Sequence, residues 1–223
     1  MDADLHQPDL ARRVEEALRN SPRLNPGDIE LKVEVHGDTV VLRGRVKHLR
    51  EKRRAESLAG AVPGVRRVVN RLELDVYPRR SDSEILQGVQ DALMQDRILS
   101  QCDLRVSVKD GIVRLGGKVP TLVRKRLAGG LAWWIPGVLD VQNEIEVSPP
   151  EEDSDEQISE ACMALLDKDP FVAAEGIFVW TQGGVVKLSG VVRGESERQA
   201  AESDAWYIWG VRDVINDLIV SRE

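Results

Sequence analysis

The residues of this chain that could do chemistry are few: three histidines, two cysteines, a run of arginines and lysines, three asparagines at one spacing, and tryptophans in pairs. Catalysis or metal binding needs titratable groups that converge. His6, His36 and His48 stand at no recognisable ligand spacing, and all three fall in the first third of the chain. They read as solvated or hairpin-edge residues. Cys102 and Cys162 are too few for a disulfide scaffold and lie among residues that predict core, so both are expected as small buried thiols. Gly116 with Gly117, and Gly129 with Gly130, are followed by no glycine-rich strand-to-helix turn bearing lysine, which rules out a phosphate loop. A strand bend and a closely packed helix account for them. No catalytic residue, no metal ligand and no cofactor is expected.

Binding chemistry has more to work with. Arg43, Arg45, Lys47, Arg50, Lys52, Arg53 and Arg54 crowd one region. Near an anionic membrane surface each basic residue gains about 1 kcal/mol, so the cluster suits lipid headgroups. It equally suits an acidic part of the same chain, another protein, or a solvated helix start. The aromatics are concentrated further on: Trp133 and Trp134 correspond to Trp206 and Tyr207, with Trp209 just beyond. Taking Ala132 or Ala205 as inward, the next two residues lie ~100° and ~200° round a helix of 3.6 residues per turn. Trp134 and Tyr207 therefore point away from their own sheet. Outward aromatics mark an interface, either between parts of this chain or with a partner or the headgroup layer of a membrane.

What must position these residues is a repeat. TVVLRGRV at 39–46, IVRLGGKV at 112–119 and VVKLSGVV at 185–192 align, with Gly44, Gly117 and Gly190 spaced by 73 residues each time. Gly64, Gly137 and Gly210 repeat that period, as do Asn70, Asn143 and Asn216. Within each copy, apolar residues recur first at helical spacing (Leu10, Val14, Leu18; Ile85, Val89, Leu93; Ile158, Cys162, Leu165). Alternation follows in two strands joined at Gly37, Gly111, or Gly183 with Gly184, as in a short hairpin. A second helix over roughly 48–62, 121–135 and 194–208 stops near the second glycine, and a third alternating strand closes the unit. The first copy carries two extra residues, which fit in RLNPGD at Pro26 and Gly27. The three asparagines fall in phase with inward apolar residues, where an amide needs partners and is expected to bond a nearby turn.

The fold expected is therefore α+β: three tandem αββαβ modules at 5–77, 81–148 and 154–221, each a three-stranded mixed sheet packed on two helices. A length of 223 residues by itself suggests one large or two medium domains. The repeat replaces that with three small cores. The net charge of −7 also divides unevenly: 15 basic and 13 acidic residues in the first copy, 10 and 9 in the second, 6 and 16 in the third, or +2, +1 and −10. An overall pI near 5.2 argues against nucleic acid.

The pattern glycine, any, valine, any, leucine, any, glycine, any, valine, then glycine-valine and asparagine after a helix, resembles the BON domain of bacterial osmotically inducible and nodulation-associated proteins. It reads GIVRLGGKV with PGVLDVQN, GVVKLSGVV with WGVRDVIN, and DTVVLRGRV with PGVRRVVN, where Asp38 stands for the first glycine and Gly37 shifts the turn by one. The resemblance implies a non-enzymatic binding module linked to osmotic shock and phospholipid membranes, with an anionic phospholipid surface or an envelope protein as partner. At least one cytoplasmic relative is a potassium-binding protein, which implies a soluble ion sensor or interaction scaffold as the alternative. The acidic, amphipathic N-terminus lacks the pattern of a signal peptide, so a cytoplasmic protein is expected. A processed form would read the same and place it in the periplasm.

Overall fold

Leu10, Val14 and Leu18 recur every four residues, and all three are buried along one side of the first helix, α1 (Gln7–Arg19). The same logic builds every helix of the chain: an apolar stripe finds a sheet. The computed structural model describes residues 7–21, 24, 30–75 and 79–221. Pro26, Gly27 and His6 lie outside the described residues. Two units, 1–75 and 76–223, divide the chain.

In the first unit α1 is followed by β1 (Glu30–His36), β2 (Thr39–Val46), α2 (Leu49–Gly60) and β3 (Arg67–Leu74). β1 pairs antiparallel with β2, and β3 pairs parallel with β2, so the sheet is mixed. Val40, Leu42, Val46 and Leu72 turn inward against Val14, Leu18, Ala55 and Ala59. The opposite face of the sheet is open.

The second unit holds the other two copies of this arrangement. One comprises α3 (Asp82–Gln95), β4 (Asp103–Lys109), β5 (Ile112–Val119), α4 (Leu122–Trp133) and a third strand broken into β6 (Asp140–Asn143) and β7 (Glu146–Val147), both parallel to β5. The other comprises α5 (Asp155–Leu166), β8 (Ile177–Gln182), β9 (Val185–Val192), α6 (Glu195–Tyr207) and β10 (Asp213–Val220). Its sheet order is β10-β9-β8. Caps fix where the helices start: the Ser81 hydroxyl accepts from Glu84 N–H, and Glu84 in return accepts from Ser81 N–H at 2.9 Å. The Ser81 N–H and the Ser81 hydroxyl, which donates to the same oxygen at 2.7 Å, hold the Glu84 carboxyl down to about 2, with Arg80 adding to the effect.

Each landmark of the repeat has a physical cause. Gly117 and Gly190 adopt φ of +111° and +131°, and a Cβ at either would come within about 2 Å of the carbonyl oxygen of Asp103 in β4 or of Gly176 just before β8. Gly64, Gly137 and Gly210, near φ +98°, +94° and +96°, close the turn that follows the second helix. The asparagines do not bond a turn, as expected, but the second helix itself. Asn70, Asn143 and Asn216 each donate to a helix carbonyl 18 residues upstream, on Lys52, Lys125 and Arg198, at 2.7, 2.6 and 3.0 Å. Their side-chain oxygens accept from the backbone of Leu72, Ile145 and Leu218, two residues on. One amide thus ties helix to strand in every copy, and such a pairing leaves no periodicity by which to foresee it.

Two further ties carry no mark in the alignment of glycines. Asp82 accepts from the backbone of Asp110 and Gly111, and Asp155 accepts from Gly183 and Gly184, so the first helix clasps the hairpin turn. Glu51 accepts from the backbone of Lys47 and His48, and Glu197 from Arg193 and Ala173. Burial works against a charge on Glu197, but the N–H groups of Ala173 and Arg193 outweigh it and hold the carboxyl below its usual range.

Candidate functional site

The basic cluster divides once folded. Arg43 and Arg45 are exposed on the open face of the first sheet, two residues apart and therefore pointing the same way. Register adds what the linear sequence did not: Lys32 stands opposite Arg43 on β1, and Arg71 opposite Arg43 on β3, with Arg67 beside Thr39. All five are exposed, against Glu34 and Glu73 on the same face. Arg43 reaches Glu34 at 3.2 Å. The remaining members lie elsewhere. Lys47 is exposed just before α2, Arg50, Lys52 and Arg53 are half-buried along that helix, and Arg54 is buried. Lys32, Arg67 and Arg71 escaped the sequence reading, although each is in phase with its strand's alternation.

The aromatics come together between the second and third repeats. Trp133 and Tyr207 stack with ring centroids 6.2 Å apart and planes 7° from parallel. Trp134 donates its indole N–H to Asp204 Oδ1 at 2.7 Å, and Trp206 is 1% exposed. Trp209, half-exposed, accepts from Arg126 Nε through its carbonyl at 3.0 Å and lies under the guanidinium, 5.6 Å from ring centroid to Cζ. Arg126 is fully buried and also pairs with Asp153. Lys168 reaches across to Asp96 at 2.7 Å. Gly130 permits the close approach, since a Cβ there would sit 2.8 Å from Leu165 of α5. The outward rings are thus taken up by the neighbouring repeat.

Asp204 is the unusual group at this contact. Burial pushes its carboxyl up to about 8, the Trp134 N–H pulls the other way, and the charge of Asp169 adds to the rise. At neutral pH Asp204 is therefore protonated. Asp96 behaves oppositely: burial disfavours its charge, but Lys168 and the N–H groups of Leu99 and Ile98 hold it low.

Cys162 is buried as expected, whereas Cys102 is half-buried, at a cleft of about 460 Å³ lined by Gln90, Met94, Leu104 and Val106 among others. That cleft holds no convergent titratable groups. Among the described residues no group of three or more His, Cys, Asp or Glu is placed to hold a metal ion, and no helix is long and apolar enough to cross a membrane.

Comparisons with known proteins agree with the repeat. A family model described as "BON domain" matches residues 6–75, 81–149 and 154–222. "Osmotically-inducible protein Y" of Escherichia coli (strain K12) is 31% identical over 143 residues, which cover 61% of this chain and 71% of that protein. An "Uncharacterized protein in gshII 5'region" of Anaplasma centrale is 31% identical over 140 residues, covering 60% and 91%. Among solved structures, the C-terminal domain of CdsD, a structural protein of the type III secretion system of Chlamydia trachomatis, is 16% identical and covers 97% of this chain and 99% of that one. Its TM-score of 0.28 is too low to carry an argument.

Proposed function

We propose, from the premise that the chain belongs to the BON-domain family in three tandem copies, that it is a non-catalytic binding protein of osmotic stress whose first repeat associates with anionic phospholipid. The observation that carries this reading is the open face of the first sheet, where Lys32, Arg43, Arg45, Arg67 and Arg71 outnumber Glu34 and Glu73. A net excess of basic groups at about 1 kcal/mol each gives reversible, salt-sensitive contact, well short of anchoring. The likeness to osmotically-inducible protein Y supports the stress context.

Co-sedimentation with vesicles rich in phosphatidylglycerol at low salt tests the reading, with the pair Arg45→Glu and Arg71→Glu as the probe. Wild-type protein is expected to pellet with these vesicles, to be released by salt, and to ignore purely zwitterionic ones. The double variant is expected to remain in solution. Undiminished binding by that variant, or no wild-type binding at low salt, would overturn the assignment.

A further inference from the structure

The third sheet differs from the other two on its open face, and we propose that its edge strand β8 pairs antiparallel with β8 of a second copy of this chain, forming a symmetric dimer. Phe178 and Trp180 of β8 are 72% and 58% exposed. On the same face Val191 of β9 and Ile219 of β10 are 57% and 66% exposed.

The chain contains its own control for this surface. At the position of Phe178 the earlier repeats have Lys32 and Arg105, and at that of Trp180 they have Glu34 and Ser107. The fold therefore does not require apolar residues there. All three hairpins leave their first strand at a sheet edge, and charged side chains are the usual guard against unwanted strand pairing at such an edge. β1 (ELKVEVH) and β4 (DLRVSVK) carry that guard, whereas β8 (IFVWTQ) has no ionisable residue at all.

Charge and symmetry choose the occupant. The third repeat holds 16 acidic against 6 basic residues, so an anionic bilayer is repelled from it. A neutral strand meets a copy of itself with no ionic penalty along the edge. An antiparallel pair centred on Val179 places Phe178 of each copy opposite Trp180 of the other, and Ile177 opposite Thr181, so both aromatic pairs form on the open face. Centring on Phe178 or on Trp180 instead sets an aromatic against Gly176 or Gln182. A two-fold axis makes the contact self-complementary and closed. A six-residue edge falls short of the about 800 Å² per partner of a standard interface, so the dimer is reversible. Because the joined repeats are acidic, salt strengthens it by screening, opposite to its effect on lipid binding.

Sedimentation velocity of the whole chain across the micromolar range at high salt reads the equilibrium directly. Wild-type protein is expected to pass from monomer to dimer. The pair Phe178→Lys and Trp180→Glu installs residues that the first repeat already accommodates, and it is expected to weaken association at least about tenfold while leaving circular dichroism and Tm unchanged. In a Cys102→Ser background, Val179→Cys lies on the two-fold axis and is expected to give a disulfide-linked dimer on mild oxidation. A wild-type chain that stays monomeric throughout overturns the proposal. So does a dimer that survives the double substitution, or one that Val179→Cys fails to cross-link.

Discussion

At the scale of single residues, Asp204 makes the sharpest claim. Its carboxyl is near 8 in the folded chain against 3.8 for the unperturbed group, with burial the largest cause. Between those values the folded state keeps a proton that the unfolded state has released, so stability falls as pH rises, by about 1.4 kcal/mol per pH unit from this group alone. Below about 4 both states are protonated and the dependence vanishes. Asp204→Asn retains an acceptor for the Trp134 N–H and removes the titration. Melting temperatures measured from mildly acidic to mildly alkaline pH are expected to show the variant gaining on wild type as pH rises; parallel curves would contradict the neutral carboxyl. Nothing in the sequence marks Asp204, because its pKa comes first from burial in the tertiary fold, and the charge that adds to the rise, Asp169, is 35 residues away. Arg126 is equally silent: its counterparts are Arg53, half-buried, and Gln199, exposed.

Elements are where the sequence was most legible, because a shared period averages out the accidents of any one copy. The αββαβ order, the hairpins and the glycines all followed from three aligned segments. Gly116 and Gly117 show how fine that reading must be. A Cβ at Gly117 would lie 1.9 Å from Asp103 O at a φ of +111°, whereas one at Gly116 meets nothing within 4 Å. Gly117→Ala is expected to cost about 3 kcal/mol or more, and Gly116→Ala to stay within about 0.5 kcal/mol, in chemical denaturation. Equal effects would show that the strand bend is not fixed by Gly117. Register was less legible. The basic cluster is continuous along the chain, yet α2 carries four of its seven residues away while β1 and β3 bring Lys32, Arg67 and Arg71 to the sheet face. Phe178 and Trp180 were hidden for a different reason: apolar residues on both faces of β8 mask the alternation, and only comparison with β1 and β4 exposes them.

For the molecule as a whole, the charge of −7 is the sum over repeats of +2, +1 and −10, and the three open sheet faces differ from one another. The first is basic. The second is balanced, with Lys118 paired to Glu146 at 3.2 Å and Arg114 to Glu144 at 3.5 Å. The third is apolar at its edge. The paired aromatics, which looked like candidates for membrane insertion, join the second repeat to the third through Trp133, Trp134 and Tyr207. The lipid contact proposed for the first repeat therefore falls on a repeat that contains no tryptophan, since all five lie in the other two. Intrinsic tryptophan fluorescence of the whole chain, recorded while anionic vesicles are added at low salt, tests that assignment most directly. The protein is expected to bind, as read by co-sedimentation of the same samples, with no blue shift of tryptophan emission. A blue shift that accompanies binding would place tryptophans in the bilayer and contradict that assignment.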